Sequence, residues 1–362
     1  MAKGSKRWKY ILGLAALLLY ILLTARSIPV ETILAPRWIS SLDSNFPVFL
    51  ADPPEPRKGA LIPFHMGDHF GYVSEDGNFT VNQIRKNYIS ISDNYWAEYE
   101  MLPSSIQVMD PLNNNVMTID KVSGYPLFLD DRVFIIGKEQ NTLSALGDNG
   151  RELWSYDFPA PITCIDAANG HVLAGTLDGA VILLDSQGIA AFPPFEPGGS
   201  RLSVILGCAI SGDATRLAVI SGLDEQRFLL LEQSGDTYKV IYHEFLPNGS
   251  RRPIHICFSD NDSKVAFERE GGLGIYEINS RNSVSLNLEG EIAVIDNSGG
   301  DKYLYVITSQ GPKDMCFIAI RYPGAIAIKA PFKSDNVFLS RKDNRLYLGS
   351  ELSIASFNLE NK

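Results

Sequence analysis

A repeat of about 40 residues constrains this chain more than any other feature of its sequence. Each unit holds short apolar runs of strand length, separated by turns rich in Gly, Asp and Asn. The segment from Asn141 to Gly188 shows the pattern most clearly, because its runs are separated by Asp-Asn-Gly, Asn-Gly-His and Leu-Asp-Gly. After about residue 60 no helical periodicity longer than two turns occurs. This part of the chain is therefore predicted to be all-β.

The spacing is typical of propeller blades, which are small sheets arranged around a central axis. The units are 86–121, 122–160, 161–200, 201–250, 251–289 and 290–332, with partial units at 60–85 and 333–362. A ring must close to avoid open sheet edges, so we expect the two partial units to share one blade. In that blade Asn336–Glu351 supplies inner strands and His69–Arg85 supplies outer ones. The prediction is a seven-bladed propeller, with eight blades as the alternative if each partial unit forms its own blade.

Three of the four cysteines occupy one repeat position. Cys164, Cys208 and Cys257 each stand on a predicted inner strand just before its turn. Little room is available near the axis, so we interpret them as small apolar packing residues. A thiol site that lines the channel is the alternative. The cysteines contain no Cys-x-x-Cys pair, which argues against both a zinc site and a dense disulfide framework.

The run from Ala145 to Trp154 resembles the repeat of the pyrroloquinoline-quinone-type propellers. In that family a turn glycine is followed by a tryptophan that docks between neighbouring blades, so the resemblance assigns Trp154 a structural role. The segment Ile256–Phe267 looks more like the WD40 and TolB-type variant. The quinone-dependent members need adjacent cysteines and a metal-binding acidic set, whereas the cysteines here are far apart. The resemblance therefore implies the fold and no cofactor.

The amino terminus predicts a membrane anchor. Residues 1–9 are basic, and an uncharged apolar run follows from Tyr10 to Ala25. As a helix this run spans roughly 24 Å, slightly less than the hydrocarbon core of a bilayer. We expect residues 10–26 to form an uncleaved transmembrane signal anchor in contact with membrane lipid, with the tail 1–9 in the cytoplasm. Cleavage as a signal peptide after Ser27 is the alternative.

Six prolines between residues 27 and 59 predict an extended stalk that carries the propeller, residues 60–362, away from the membrane. The expected topology is single-pass in the cell inner membrane, with the propeller on the periplasmic side. The first 26 residues contain five basic side chains and no acidic one, which leaves 27 basic and 42 acidic side chains on the remainder. A body with that acidic excess repels phosphate backbones, so we do not expect nucleic acid as a partner.

His65, Asp68 and His69 form a weak candidate metal set. Two histidines four residues apart share one face of a helix, which is a good zinc spacing. Pro63 and Gly67 interrupt any helix here, and we interpret the segment as a loop at the propeller mouth. No metal site is predicted.

The aspartate-rich turns raise the question of calcium. Those at 130–131, 260–262 and 296–301 lack the complete ligand pattern of a calcium loop, and inter-strand turns favour Asp, Asn and Gly for backbone reasons alone. Neither a Gly-x-Ser-x-Gly elbow nor a phosphate loop followed by a helix occurs. We therefore predict no catalytic or cofactor-binding residue, and no enzyme.

The expected function is that of a non-catalytic protein-interaction scaffold or adaptor in the cell envelope, with an unidentified envelope protein as partner. The layout is similar to the propeller component of the outer-membrane protein assembly machinery, which is lipid-anchored, whereas no cysteine follows the apolar run here. The longer connections 196–201, 246–253 and 311–314 are the expected binding loops, with Arg251 and Arg252 as a basic spot on an acidic body. A ligand-sensing or hydrolytic propeller that uses its central channel is the alternative.

Overall fold

A computed structural model describes residues 13–15, 17, 20, 32–44, 47–50, 60–247, 251–296, 302–342 and 345–361. Residues 13–15, 17 and 20 are helical, and residues between 34 and 359 belong to one compact unit. No helix in the described part of the chain combines the length and the hydropathy that a bilayer crossing requires. The predicted tail 1–9 and most of the predicted anchor 10–26 lie outside the described residues.

The described residues form 31 strands in eight antiparallel sheets. Strands β1 (Thr32–Ser41) and β2 (Pro47–Phe49) come first in the chain but join the last sheet. The first four sheets are blade 1 (β3 Leu61–Met66, β4 His69–Ser74, β5 Phe79–Ile84), blade 2 (β6 Tyr88–Ile91, β7 Trp96–Tyr99, β8 Ser105–Met109, β9 Asn115–Asp120), blade 3 (β10 Gly124–Leu129, β11 Arg132–Gly137, β12 Thr142–Leu146, β13 Glu152–Asp157) and blade 4 (β14 Ile162–Ala168, β15 His171–Thr176, β16 Val181–Leu184).

The next three sheets are blade 5 (β17 Ile205–Ile210, β18 Arg216–Ser221, β19 Arg227–Ser234, β20 Thr237–Phe245), blade 6 (β21 Ile256–Ser259, β22 Lys264–Arg269, β23 Gly272–Glu277, β24 Asn282–Asn287) and blade 7 (β25 Glu291–Asp296, β26 Tyr303–Ser309, β27 Asp314–Arg321, β28 Ala325–Lys333). Blade 8 combines β29 (Val337–Lys342), β30 (Arg345–Ser350) and β31 (Ser353–Asn361) with β1 and β2, in the order β2-β1-β31-β30-β29. First strands of neighbouring blades contact each other, which places them around the central axis.

The inner strands are apolar on both sides because each sheet is covered on both faces. Strand β17 reads Ile-Leu-Gly-Cys-Ala-Ile and is buried along its whole length. The outermost strands β20 and β28 alternate instead between half-buried and exposed residues. Blade 5 therefore changes from a buried apolar strand at the axis to a partly exposed strand at the rim.

Eight clusters of buried apolar side chains lie within the described residues, one at each interface between neighbouring blades. At the interface of blades 5 and 6 the rings of Phe228 and Phe267 stack with their centroids 4.4 Å apart. At the interface of blades 8 and 1, Trp38 packs in one cluster with Phe64. Burying a large apolar side chain stabilises the fold by about 1.5–3 kcal/mol, so the ring is held at every junction by several such contributions.

Strand β1 closes the ring by joining the carboxy-terminal strands of blade 8 and packing on blade 1. The Trp38 indole N–H donates to the carbonyl of Glu75 at 2.9 Å, and the Ser40 hydroxyl donates to the carbonyl of Gly77 at 2.6 Å. Gly77 has a φ of +86°, and a Cβ added there would lie 2.9 Å from the Trp38 ring. Only glycine satisfies both the left-handed backbone and this close approach.

The structure corrects the predicted blade count. The partial units 60–85 and 333–362 form two separate sheets, blade 1 and blade 8, so the propeller has eight blades. Within His69–Arg85, β4 pairs with β3 and β5 pairs with β4, all in blade 1, so this segment contributes no outer strand to blade 8. The physical reason is that β1 supplies an outer strand of blade 8, the role that the prediction assigned to His69–Arg85.

The predicted stalk, 27–59, also changes in part. Residues of β1 and β2 lie inside that interval and belong to the sheet of blade 8, so the propeller begins before residue 60. The prolines suggested an extended stalk, but proline is also tolerated in an outer strand, because the missing N–H can face the free edge of the sheet. Residues 51–59 and 27–31 lie outside the described residues.

Replacing Trp38 with alanine is expected to destabilise the propeller by about 3–5 kcal/mol, because the indole is 1% exposed and fills the closing interface. The matched control is Ile39→Ala on the same strand, where the side chain points outward and is 39% exposed. We expect that control to change stability by less than about 1 kcal/mol. The urea midpoint of unfolding measures both, and equal midpoints for the two variants would show that β1 does not hold the ring.

Candidate functional site

The short turns divide the propeller into two faces. The AB face carries the turns between the first and second strands of the blades, and the BC face carries the turns between the second and third strands. Asp130, Asp131, Asp260, Asn261 and Asp262 of the AB face all have a left-handed backbone, with φ between 49° and 58°. Asp and Asn tolerate that conformation better than other non-glycine residues. Turn geometry therefore accounts for the acidic repeats of this face.

Several AB-face carboxylates also join one blade to the next. Asp130 accepts a hydrogen bond from the N–H of Gly170 at 2.8 Å, and Asp262 accepts one from the N–H of Gly212 at 2.7 Å. Asp166 accepts one from the N–H of Ile210 at 2.9 Å. These bonds cross the interfaces of blades 3 and 4, 5 and 6, and 4 and 5. The side chains weighed as calcium ligands at 130 and 262 thus serve as acceptors between sheets.

The structure separates the candidate metal residues His65, Asp68 and His69. His65 pairs with Phe70 and Met66 pairs with His69, so the two histidines lie on opposite faces of one hairpin. Asp68 forms an exposed ion pair with Arg85 at 3.3 Å. Burial and the nearby Arg85 charge lower the pKa of His65, while Asp68 opposes them. Within the described residues no three potential ligands come together to hold a metal ion.

The two arginines of the predicted basic spot have different environments. Arg251 is exposed, whereas Arg252 donates to the buried Glu268 carboxylate at 2.5 Å and lies 3.9 Å from Glu291. A BC-face cavity of about 350 Å³ is lined by Arg252, Glu268, Arg269 and Glu291. Arg252 therefore neutralises a buried carboxylate, which is a structural use of its charge.

The cysteines of the inner strands lie where the repeat places them. Cys164, Cys208 and Cys257 belong to β14, β17 and β21, and all three are free thiols. A contact with Cys164 and burial raise the pKa of Cys208, and burial raises the pKa of Cys257 to about 12. The thiolate form is disfavoured at these two positions, so they are poor nucleophiles at neutral pH.

Trp154 lies at the interface of blades 3 and 4. Its indole N–H donates to the carbonyl of Ser186 at 3.0 Å, and a Cβ added at Gly188 would lie 2.5 Å from the ring. The ring also approaches Phe134, with centroids 6.0 Å apart. The contacts hold the turn that follows β16 against the outer strand of blade 3.

An exposed apolar surface occupies the BC face of blades 4 and 5. Leu177, Leu202 and Phe245 are 51%, 58% and 58% exposed, and we call these three residues the BC apolar surface. Leu177 lies in the β15–β16 turn, Leu202 precedes β17, and Phe245 ends β20 over the guanidinium of Arg227. The sequence alone does not identify these three residues, because an apolar residue beside a turn can be either buried or exposed in the fold.

The loops that carry this surface are ordered by backbone contacts. The N–H of Leu223 donates to the carbonyl of Leu202 at 3.1 Å, and the N–H of Leu246 donates to that of Gln226 at 2.8 Å. A Cβ added at Gly179 would lie 2.5 Å from Ser203. The connection 196–201 crosses this region, and the described parts of the other two connections, 246–247 with 251–253 and 311–314, reach the same face. The three predicted binding loops therefore share one face of the ring.

A second cavity, of about 390 Å³, opens on the AB face of blades 4, 5 and 6. Its wall includes Asp166, Cys257, Ser259 and Asp262. Burial raises the pKa of the Asp166 carboxyl, hydrogen bonds from Ile210 and Ala167 oppose this, and the charge of Asp130 adds to it. Sequence reasoning did not select Asp166, although an acidic residue within the otherwise apolar run of β14 was a usable signal.

Replacing Arg252 with alanine is expected to destabilise the propeller by about 1–3 kcal/mol, because the buried Glu268 carboxylate loses its charged donor. Arg251→Ala removes the same charge from the neighbouring exposed position and is expected to change stability by less than about 0.5 kcal/mol. Thermal or urea unfolding compares the two variants. Similar stabilities would mean that Arg252 acts as a free surface charge.

Comparisons with known proteins agree with this architecture. A family model described as beta-propeller protein matches residues 1–362. A protein of Treponema pallidum (strain Nichols), described as uncharacterized, is 24% identical over 301 residues, which are 83% of this chain and 78% of that protein. The crystal structure of BamB from Moraxella catarrhalis matches with a TM-score of 0.59 and 15% identity, covering 90% of this chain and 100% of that one, and this likeness is one of fold. Since the family match extends over the whole chain, the protein belongs to the beta-propeller protein family.

Proposed function

We propose that this protein is a non-catalytic scaffold of the cell envelope, a propeller anchored to the inner membrane and exposed on the periplasmic side. The observation that carries the proposal is the BC apolar surface. Leu177 and Leu202 stand on loops of this face, Phe245 ends β20 there, and each keeps about half or more of its surface in water. Grouped exposed apolar side chains on ordered loops are typical of protein interfaces.

The composition of this surface suits recognition by a protein. Phe245 lies above the Arg227 guanidinium, with 5.5 Å from its ring centroid to the central carbon. Arg227 is itself held by the carbonyl of Pro197 at 2.6 Å and by that of Gly198. An aromatic ring fixed over an arginine is a preorganised contact, and binding to it loses little side-chain entropy.

The anchor rests on the sequence of the first 26 residues. Their five basic side chains and the apolar run 10–25 are the features that support a signal anchor with the propeller outside the cytoplasm. An anchored propeller beside the membrane would meet envelope proteins at high local concentration, which favours a scaffold role.

Carbonate extraction of membranes tests the anchor. The full chain is expected to remain in the membrane pellet, because about 16 apolar residues resist extraction, while a variant lacking residues 1–26 appears in the supernatant. Mass determination of the mature amino terminus is the companion measurement. A mature chain that begins at Ile28 would replace the anchor with a cleaved signal peptide.

Site-specific photocrosslinking tests the scaffold. A photoreactive phenylalanine at position 202 is expected to yield an adduct of one discrete size in intact cells, because that position lies within the BC apolar surface. The control carries the photoreactive phenylalanine at position 112 instead. That position is an apolar site in the β8–β9 turn and is 63% exposed. The double variant Leu177→Asp, Phe245→Asp is expected to reduce the position-202 adduct about tenfold or more, since charges in an interface core are poorly tolerated.

Equal adducts at positions 202 and 112 would contradict a role for this face. An adduct that survives the double variant unchanged would also do so, because the two substitutions lie on the same face as the crosslinking position. Circular dichroism of the double variant verifies that the propeller is still folded.

A further inference from the structure

The AB-face cavity of blades 4, 5 and 6 contains acidic groups that the propeller does not neutralise. It has a volume of about 390 Å³, and the ends of β14, β17 and β21 converge on it. This volume exceeds what an ion needs and is sufficient for the head group of a long side chain. The cavity lies on the face opposite the BC apolar surface, so its use is independent of the proposed scaffold contact.

Asp166 is a half-buried acidic group on the inner strand β14. Its two carboxylate oxygens accept one backbone hydrogen bond each, from Ile210 at 2.9 Å and from Ala167 at 2.9 Å. No basic side chain among the described residues pairs with it, and the charge that acts on it is that of Asp130, which is also negative. An ionised carboxylate has about four acceptor positions, so acceptor capacity remains on Asp166.

Ser259 provides a second and independent indication of a ligand. It lies on the wall of the same cavity and is 4% exposed, and its hydroxyl has no hydrogen-bond partner. A buried hydroxyl without a partner costs roughly 1–3 kcal/mol. A bound group with N–H donors would satisfy the acceptor positions of this oxygen.

The other two acidic groups of the wall differ from each other. Asp260 is already paired with Lys264, at 2.5 Å, and with the hydroxyl of Ser263 at 3.0 Å. Asp262 accepts only the N–H of Gly212, at 2.7 Å, and no basic side chain among the described residues pairs with it. The uncompensated charge of the cavity therefore resides on Asp166 and Asp262.

The separation of these acceptor groups favours an organic cation over a divalent metal ion. No three potential metal ligands converge in the described part of the chain, so the carboxylates are too dispersed for a divalent ion. A guanidinium or primary ammonium group is larger and presents several N–H donors in different directions, which suits separated acceptors. We propose that this cavity binds an organic cation, the guanidinium or ammonium group of a basic side chain or small amine, through Asp166, Asp262 and Ser259.

Fluorescence anisotropy tests the proposal with the full chain and a labelled peptide of alternating Gly and Arg residues, at about 0.15 M salt. Asp166→Asn keeps the shape and removes the charge, and is expected to weaken binding about tenfold, as lost charged hydrogen bonds do. Ser259→Ala is expected to weaken it about threefold. Asp236→Asn is the matched control, because it removes one charge from an exposed turn of blade 5 on the same side of the ring.

Asp262→Asn provides a second variant if Asp166→Asn fails to fold, and its binding is also expected to fall about tenfold. Thermal unfolding identifies which variants are folded. Equal losses in Asp262→Asn and Asp236→Asn would overturn the proposal, because binding would then follow net charge alone. Displacement of the peptide by millimolar calcium at unchanged ionic strength, lost in Asp262→Asn, would overturn it in favour of an inorganic ion.

Competition with agmatine, a small guanidinium amine, separates the two sources of the cation. Complete displacement of the peptide by agmatine, absent in the Asp262→Asn variant, supports a small-amine site. If agmatine does not displace the peptide, but peptide binding still depends on Asp262, the ligand is a basic segment of a protein. No binding of either probe to the wild-type chain would sink the proposal.

Discussion

The packing of each sheet against both of its neighbours is the interaction on which the rest of the structure depends. A single blade of three or four short strands has two apolar faces and cannot cover either by itself. Eight buried clusters within the described residues, one at each junction, remove those faces from water. A linear stack would leave the first and last faces uncovered, so the ring has to close. Strand β1 achieves this closure by bringing Trp38 from the start of the ring to its last blade.

The same packing explains why the candidate functional groups lie in the turns and towards the ends of strands. The inner strands use their side chains for contacts between sheets, and the raised pKa values of Cys208 and Cys257 disfavour their thiolates. On the AB face, Asp130 and Asp262 accept backbone hydrogen bonds across blade interfaces, which adds polar links to apolar packing. On the BC face the loops of blades 4 and 5 present Leu177, Leu202 and Phe245 to solvent. The two faces thus offer different surfaces, one acidic and one apolar.

Charge in this protein has to be interpreted residue by residue. Arg252 and Glu268 satisfy each other inside a cavity, so the basic spot expected at 251–252 is reduced to Arg251. Lys264 likewise satisfies Asp260. Asp166 has no such partner among the described residues, and burial makes its ionised form unfavourable. An acidic group left in this condition is a candidate for a function that stability does not require.

The sequence by itself determined the repeat, the all-β class and most of the blade boundaries, because the period of apolar runs and turn residues is a local property. It also placed three cysteines on inner strands, since equivalent repeat positions occupy equivalent places in a ring. The tertiary structure decided the blade count and the closing strand, because the partner of β1 is more than 300 residues away in the chain and no local pattern encodes it. It likewise decided which turn residues are covered and which acidic groups are neutralised. Those outcomes depend on residues that the fold brings together, such as the Ile210 N–H of blade 5 that meets Asp166 of blade 4.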